Sequence, residues 1–159
     1  MYEYYNKNYY NEGGVIMPTD EQKLWGVWGQ ANGIYSSWAA SKGINYYLVF
    51  VLYALDGQKA MTQKKICIST GLTKQTVNSV IRFLKEHGYI ELVPGCEDRR
   101  EKQVTLTEKG IAYSNDLLVS LREMERRVLQ IMGNDRVQQM LDDITLYNTL
   151  LEKEIEKEV

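Results

Sequence analysis

The stretch Thr73 to Leu84 sorts its side chains into two kinds at helical spacing. Val77, Val80, Ile81 and Leu84 recur at i, i+3, i+4 and i+7, the pattern of one buried helix face. Thr73, Lys74, Gln75, Thr76, Asn78, Ser79 and Arg82 are left on the other side. Gln and Asn amides present a donor and an acceptor side by side, which matches the N6/N7 edge of adenine. An arginine fork matches O6/N7 of guanine or a phosphate. A face that merely meets water would suit Glu and Lys better, yet no carboxylate stands here before Glu86. The chemistry on offer is readout of base edges by a helix laid in a DNA major groove, a channel about 12 Å wide.

Other chemistries have little material. The chain has two cysteines, Cys67 and Cys96, and a single histidine, His87, so an all-Cys/His metal site is not expected and no cofactor motif stands out. His87 precedes Gly88 at a helix end, which predicts a capping role. Asp142 and Asp143 are consecutive, about 100° apart on a helix, and cannot face one another as an acid/base pair. Cys96 is followed by two carboxylates, the wrong setting for an activated thiolate, and Cys67 is expected to be a small buried residue. An enzyme is not expected.

The elements that must hold the reading face follow from periodicity and caps. Residues 1–18 hold a tyrosine-rich arm, read as flexible, with five of the twelve tyrosines in the first fourteen positions. Thr19, followed by Asp20, Glu21 and Gln22, opens a helix to about Lys42 whose stripe is Leu24, Trp28, Ala31, Tyr35 and Trp38. Gly26, Gly29 and Gly33 interrupt it and predict a bend or a close helix crossing. Tyr46 to Leu55 is apolar on every side, hence buried, and reads as a helix capped by Asn45. Thr62 to Thr70 forms a short helix ending at Gly71, before the reading helix. A hairpin follows, with strands at Tyr89 to Val93 and Gln103 to Thr105 and a charged tip between. Two long amphipathic helices close the chain. One starts at Thr107 with stripe Tyr113, Leu117, Leu121, Met124, Val128 and Ile131; the other, beyond Gly133, carries Val137, Met140, Ile144, Tyr147, Leu151 and Ile155. Such seam-like spacing suits helix association in a bundle or a dimer.

The formal charge of -2 hides a segregation: residues 57–110 carry +4, against -2 before them and -4 after. A basic centre is what phosphate attraction requires. The longest apolar run has ten residues, about half of what a spanning helix needs, and the first residues lack a secretory pattern, so no membrane span and a cytoplasmic home are expected.

Helix, Gly-containing turn, helix and hairpin is the order of a winged helix-turn-helix. The run GLTKQTVNSVIRFLKEHGYIE followed by EDRREKQVTLTEKG resembles the MarR (multiple antibiotic resistance regulator) family, with the D-R-R stretch and the L-T-E-K-G helix start as its signatures. The resemblance implies a mainly α fold with a small β-hairpin wing, and an obligate homodimer that binds double-stranded DNA at a pseudo-palindromic operator, usually as a repressor. It assigns residues 19–43 to an N-terminal dimerisation helix, 44–106 to the DNA-binding lobe and 107–159 to C-terminal dimerisation helices. In the wing, Asp98 matches the acidic residue that positions the arginine, Arg100 matches the arginine that reaches DNA, and Arg99 and Lys102 are neighbours on the backbone. Thr62, Lys64 and Lys65 are further backbone candidates. Ser79 stands where relatives often carry arginine, so that contact is either absent or passed to Arg82.

Many relatives are released from DNA by small phenolic or lipophilic ligands held between the dimerisation helices and the DNA-binding lobe. Trp25, Trp28, Tyr35, Trp38, Tyr46 and Tyr47 are the candidates to line such an effector pocket, with core and dimer packing as the alternative use of the same rings. The acidic flanks leave a second functional class open, a winged-helix module that binds protein rather than DNA. Sequence-selective DNA binding separates the two.

Overall fold

Hydrogen-bonding side chains fix where most of the helices begin. The computed structural model describes residues 10–11, 14–15, 18–58, 60–95 and 102–158. The chain divides into two compact units, Met1–Phe50 and Val51–Val159.

In the first unit, strands β1 (Tyr10–Asn11) and β2 (Gly14–Val15) pair antiparallel, where the sequence suggested an irregular arm. Helix α1 (Asp20–Ser41) starts in a capping box: Gln22 N–H donates to the Thr19 hydroxyl, and Thr19 N–H donates to Gln22 Oε1 at 3.0 Å. The helix is continuous through its glycines, and a Cβ at Gly29 or Gly33 would meet nothing within 4 Å, so among the described residues no close crossing is found at those two positions. Leu24, Trp28, Tyr35 and Trp38 are half-buried, whereas Ala31, expected on the same stripe, is exposed.

Helix α2 (Tyr46–Leu55) runs across the division between the units. Asn45 Oδ1 accepts from Tyr47 N–H at 2.8 Å, the cap that the sequence indicated. Leu48, Val49, Val51, Leu52 and Leu55 are buried, as an all-apolar helix requires.

The second unit is built around a three-stranded antiparallel sheet. Strand β3 (Met61–Thr62) pairs with β5 (Lys102–Leu106), and β5 pairs with β4 (Ile90–Pro94) in the register Ile90 to Leu106 through Pro94 to Lys102. The sequence indicated only the β4–β5 hairpin. A two-residue strand has no period to read, so β3 is visible only through its partner. Pro94 is tolerated because β4 is an edge strand and Pro94 its last residue.

Thr62 serves twice, as the end of β3 and as the N-cap of α3 (Gln63–Thr70), where its hydroxyl accepts from Lys65 N–H at 3.2 Å. Gly71 ends α3 in the left-handed conformation, φ 67°, which a residue with a Cβ adopts only at a cost. Thr73 then caps α4 (Lys74–Glu86), whose inner face of Val77, Val80, Ile81 and Leu84 is buried as its spacing predicts.

Helix α5 (Glu108–Met132) is locked to the turn between α4 and β4. The Thr107 hydroxyl accepts from Gly110 N–H and donates to the Gly88 carbonyl, while Lys109 Nζ donates to the His87 carbonyl. A Cβ at Gly110 would lie 1.8 Å from the Tyr89 carbonyl oxygen. No other residue type fits there without moving backbone, which gives the L-T-E-K-G stretch a structural meaning. The buried line of α5 is Gly110, Ser114, Leu118 and Leu121; Tyr113 and Leu117, taken from the sequence as stripe positions, are only half-buried beside it. Gly133 separates α5 from α6 (Asn134–Glu156), which buries no residue at all. No helix is long and apolar enough to cross a membrane.

Candidate nucleic-acid interface

The capped start of α4 gives its outward face a fixed origin. Thr76 N–H donates to the Thr73 hydroxyl at 3.2 Å, and the two threonine hydroxyls are 2.9 Å apart and hydrogen-bonded. These two candidates for base contact therefore engage each other, and Thr76 is half-buried where the sequence suggested an outward position. Lys74, Gln75, Asn78, Ser79 and Arg82 are exposed along one side, opposite the buried apolar line. Rigid backing and a free polar side are what direct readout requires.

The other end of α4 closes by ring stacking. His87 caps the helix, and its Nδ1 lies 2.8 Å from the Phe83 carbonyl. The rings run Phe83, His87, Tyr89, Tyr113, with Tyr89 and Tyr113 stacked at 4.1 Å and 7°. Burial, then the neighbouring Tyr89, pushes the Tyr113 phenol above the usual tyrosine range. His87 is structural at this point, as its position before Gly88 indicated.

Backbone-contact candidates divide. Lys64, Lys65 and Lys102 are exposed, while Thr62 is 5% exposed with its hydroxyl committed to the α3 cap. Cys67 is half-buried rather than buried. The wing-tip candidates Asp98, Arg99 and Arg100, together with Cys96, lie outside the described residues.

One feature of this surface has no signature in the sequence. Thr62, Gln63, Lys64 and Cys67 from the start of α3, Lys74 from α4, Leu92 from β4 and Lys102 from β5 line a single cavity of about 540 Å³. Four separate segments contribute to it, so no local motif could have announced it.

A second cavity, of about 600 Å³, lies beside α5 and the start of α6, lined by residues that include Tyr53, Arg122, Glu125, Arg126 and Val137. Arg122 pairs with Asp56 at 2.6 Å, and the Tyr53 hydroxyl donates to Glu125, tying the end of α2 to α5. None of the six aromatic effector candidates lines either cavity. Trp25 is 73% exposed and edge-on to Trp28, and the Tyr46 hydroxyl donates to Asn32 Oδ1 at 3.1 Å. Burial, then the adjacent Tyr47, raises the Tyr46 phenol. Among the described residues no group of three or more His, Cys, Asp or Glu could hold a metal ion.

The geometry has counterparts in known proteins. The MarR family model matches residues 46–101. A MarR family regulator from Neisseria meningitidis is 30% identical in sequence and superimposes over 89% of this chain and 100% of its own, with a TM-score of 0.79. The uncharacterized HTH-type transcriptional regulator YwoH of Bacillus subtilis is 34% identical over 79 residues, 50% of this chain and 57% of its own. The HTH-type transcriptional regulator PapX of Escherichia coli is 26% identical over 87 residues, 54% of this chain and 53% of its own. The chain spans about half the length of these curated relatives.

Proposed function

The chain belongs to the MarR family, and on that premise we propose that it is a homodimeric transcriptional regulator, acting as a repressor, that binds a pseudo-palindromic operator in double-stranded DNA. The observation that carries this reading is the outward side of α4: Lys74, Gln75, Asn78, Ser79 and Arg82 exposed together on a helix whose opposite side is fully anchored. Gln75 and Asn78 are the adenine readers, Arg82 contacts guanine or phosphate, and Lys64, Lys65, Lys102, Arg99 and Arg100 hold the backbone, with Asp98 orienting Arg100. Residues 44–106 form the DNA-binding lobe. Residues 19–43 and 107–159 supply the dimer contacts, for which the uncovered apolar side of α6 is the support.

Release by a small aromatic ligand is part of the proposal. Its support is the exposed and half-buried aromatic set of the first unit, and two proteins of the same fold. These are a Bordetella bronchiseptica regulator whose DNA binding is regulated by 6-hydroxynicotinic acid, and a Rhodococcus jostii regulator bound to p-coumaroyl-CoA. Selection of bound duplexes from a random pool at about 0.15 M salt tests the reading, because phosphate attraction alone is already partly screened there. The expected result is a palindrome with half-sites about one helical turn apart. An intact dimer that enriches nothing would instead be an interaction module.

A further inference from the structure

Lys64, Lys74 and Lys102 come from the start of α3, the first residue of α4 and the first residue of β5, yet they border one concavity. Among the described residues no carboxylate lines it, and none of the three lysines is paired with one. Three exposed lysine side chains that border one concavity concentrate positive potential there, which favours an anion. Its volume of about 540 Å³ exceeds that of a lone hydrated ion, and Cys67 and Leu92 add less polar lining. The hollow also adjoins the polar side of α4, since Lys74 lies between the Thr73 cap and Gln75.

We propose that these three lysines form one phosphate receptor, which grips a single phosphate at the edge of the groove that α4 reads, rather than making three independent contacts. The inference rests on the DNA-binding reading and sharpens it: Lys65, which does not line the hollow, makes its own separate contact. A free phosphorylated small molecule is the other source of the same chemistry.

Counterion release distinguishes one phosphate from three. With wild-type protein on its selected operator, the slope of log affinity against log salt changes by about 0.9 for each phosphate neutralised. The triple variant Lys64→Gln, Lys74→Gln, Lys102→Gln is expected to lose about 0.9 per protomer, and adding Lys65→Gln a further amount of about 0.9. A loss of about 2.7 per protomer in the triple variant would mean three separate phosphates and would overturn the inference while leaving the DNA reading intact. An unchanged slope would overturn it equally.

Cys67 supplies a readout that does not depend on affinity. With Cys96→Ser it becomes the only thiol of the chain, and its alkylation by iodoacetamide reports whether the hollow is filled. Operator DNA is expected to slow the reaction several-fold in the protein with its lysines intact, and in the triple variant the protection disappears. Inorganic pyrophosphate, added without DNA, tests the free-phosphate source. Protection by DNA alone assigns the receptor to the backbone. Protection by pyrophosphate in a protein that selects no operator assigns it to a small molecule, and the DNA reading then fails while the receptor stands. If neither slows alkylation, there is no receptor.

Discussion

Helices α4 and α6 belong to the same compact unit and carry the same kind of apolar stripe, yet they end in opposite conditions. Val77, Val80, Ile81 and Leu84 of α4 are at most 6% exposed, whereas Met140, Ile144, Tyr147, Leu151 and Ile155 of α6 are 36–53% exposed. Periodicity thus states that a face requires cover without stating where the cover comes from. The chain itself covers α4. Under the function proposed above, a second copy covers α6.

On that contrast, strain placed inside the lobe acts on the single chain and strain placed on α6 acts on association. The largest effect is expected at Gly110. Gly110→Ala drives a methyl into the Tyr89 carbonyl and destabilises the fold by about 3 kcal/mol or more, independently of protein concentration, in chemical denaturation. Ile144→Asp comes next. It places a charge in the uncovered stripe and raises the dimer dissociation constant by about 100-fold in sedimentation equilibrium, while the circular dichroism of the lobe is retained. A dimer indifferent to this change would show that α6 is not covered by a second copy. The smallest effect belongs to the cap of α4: Thr73→Ala costs about 1 kcal/mol, and Thr73→Asp recovers most of it because a carboxylate oxygen can accept the same Thr76 N–H.

Helix starts were legible in the sequence because all but that of α6 are written in side chains that bond the backbone locally. Thr19, Asn45, Thr62, Thr73 and Thr107 all accept at the expected places. Part of what was not legible depends on residues far apart in the chain. Strand β3 exists through Val104 and Gln103, some forty positions on. The face of α5 was read one residue off, at Tyr113 and Leu117 instead of Ser114 and Leu118, because a small polar Ser114 on the packed side defeats a search for large apolar residues. On the candidate interface, the exposed side of α4 could be read from spacing, but the mutual bond of Thr73 and Thr76 could not. Nor could the convergence of Lys64, Lys74 and Lys102 on one concavity, since they stand on three elements far apart in the chain.

The three tryptophans of this protein, Trp25, Trp28 and Trp38, all stand on α1, and the unit from Val51 onward has none. Indole emission is therefore a native optical label confined to the first unit, and the tyrosines of the second can be left unexcited. A shift of that emission during a DNA titration would report, without any attached dye, that the unit holding α1 senses what the other unit has bound.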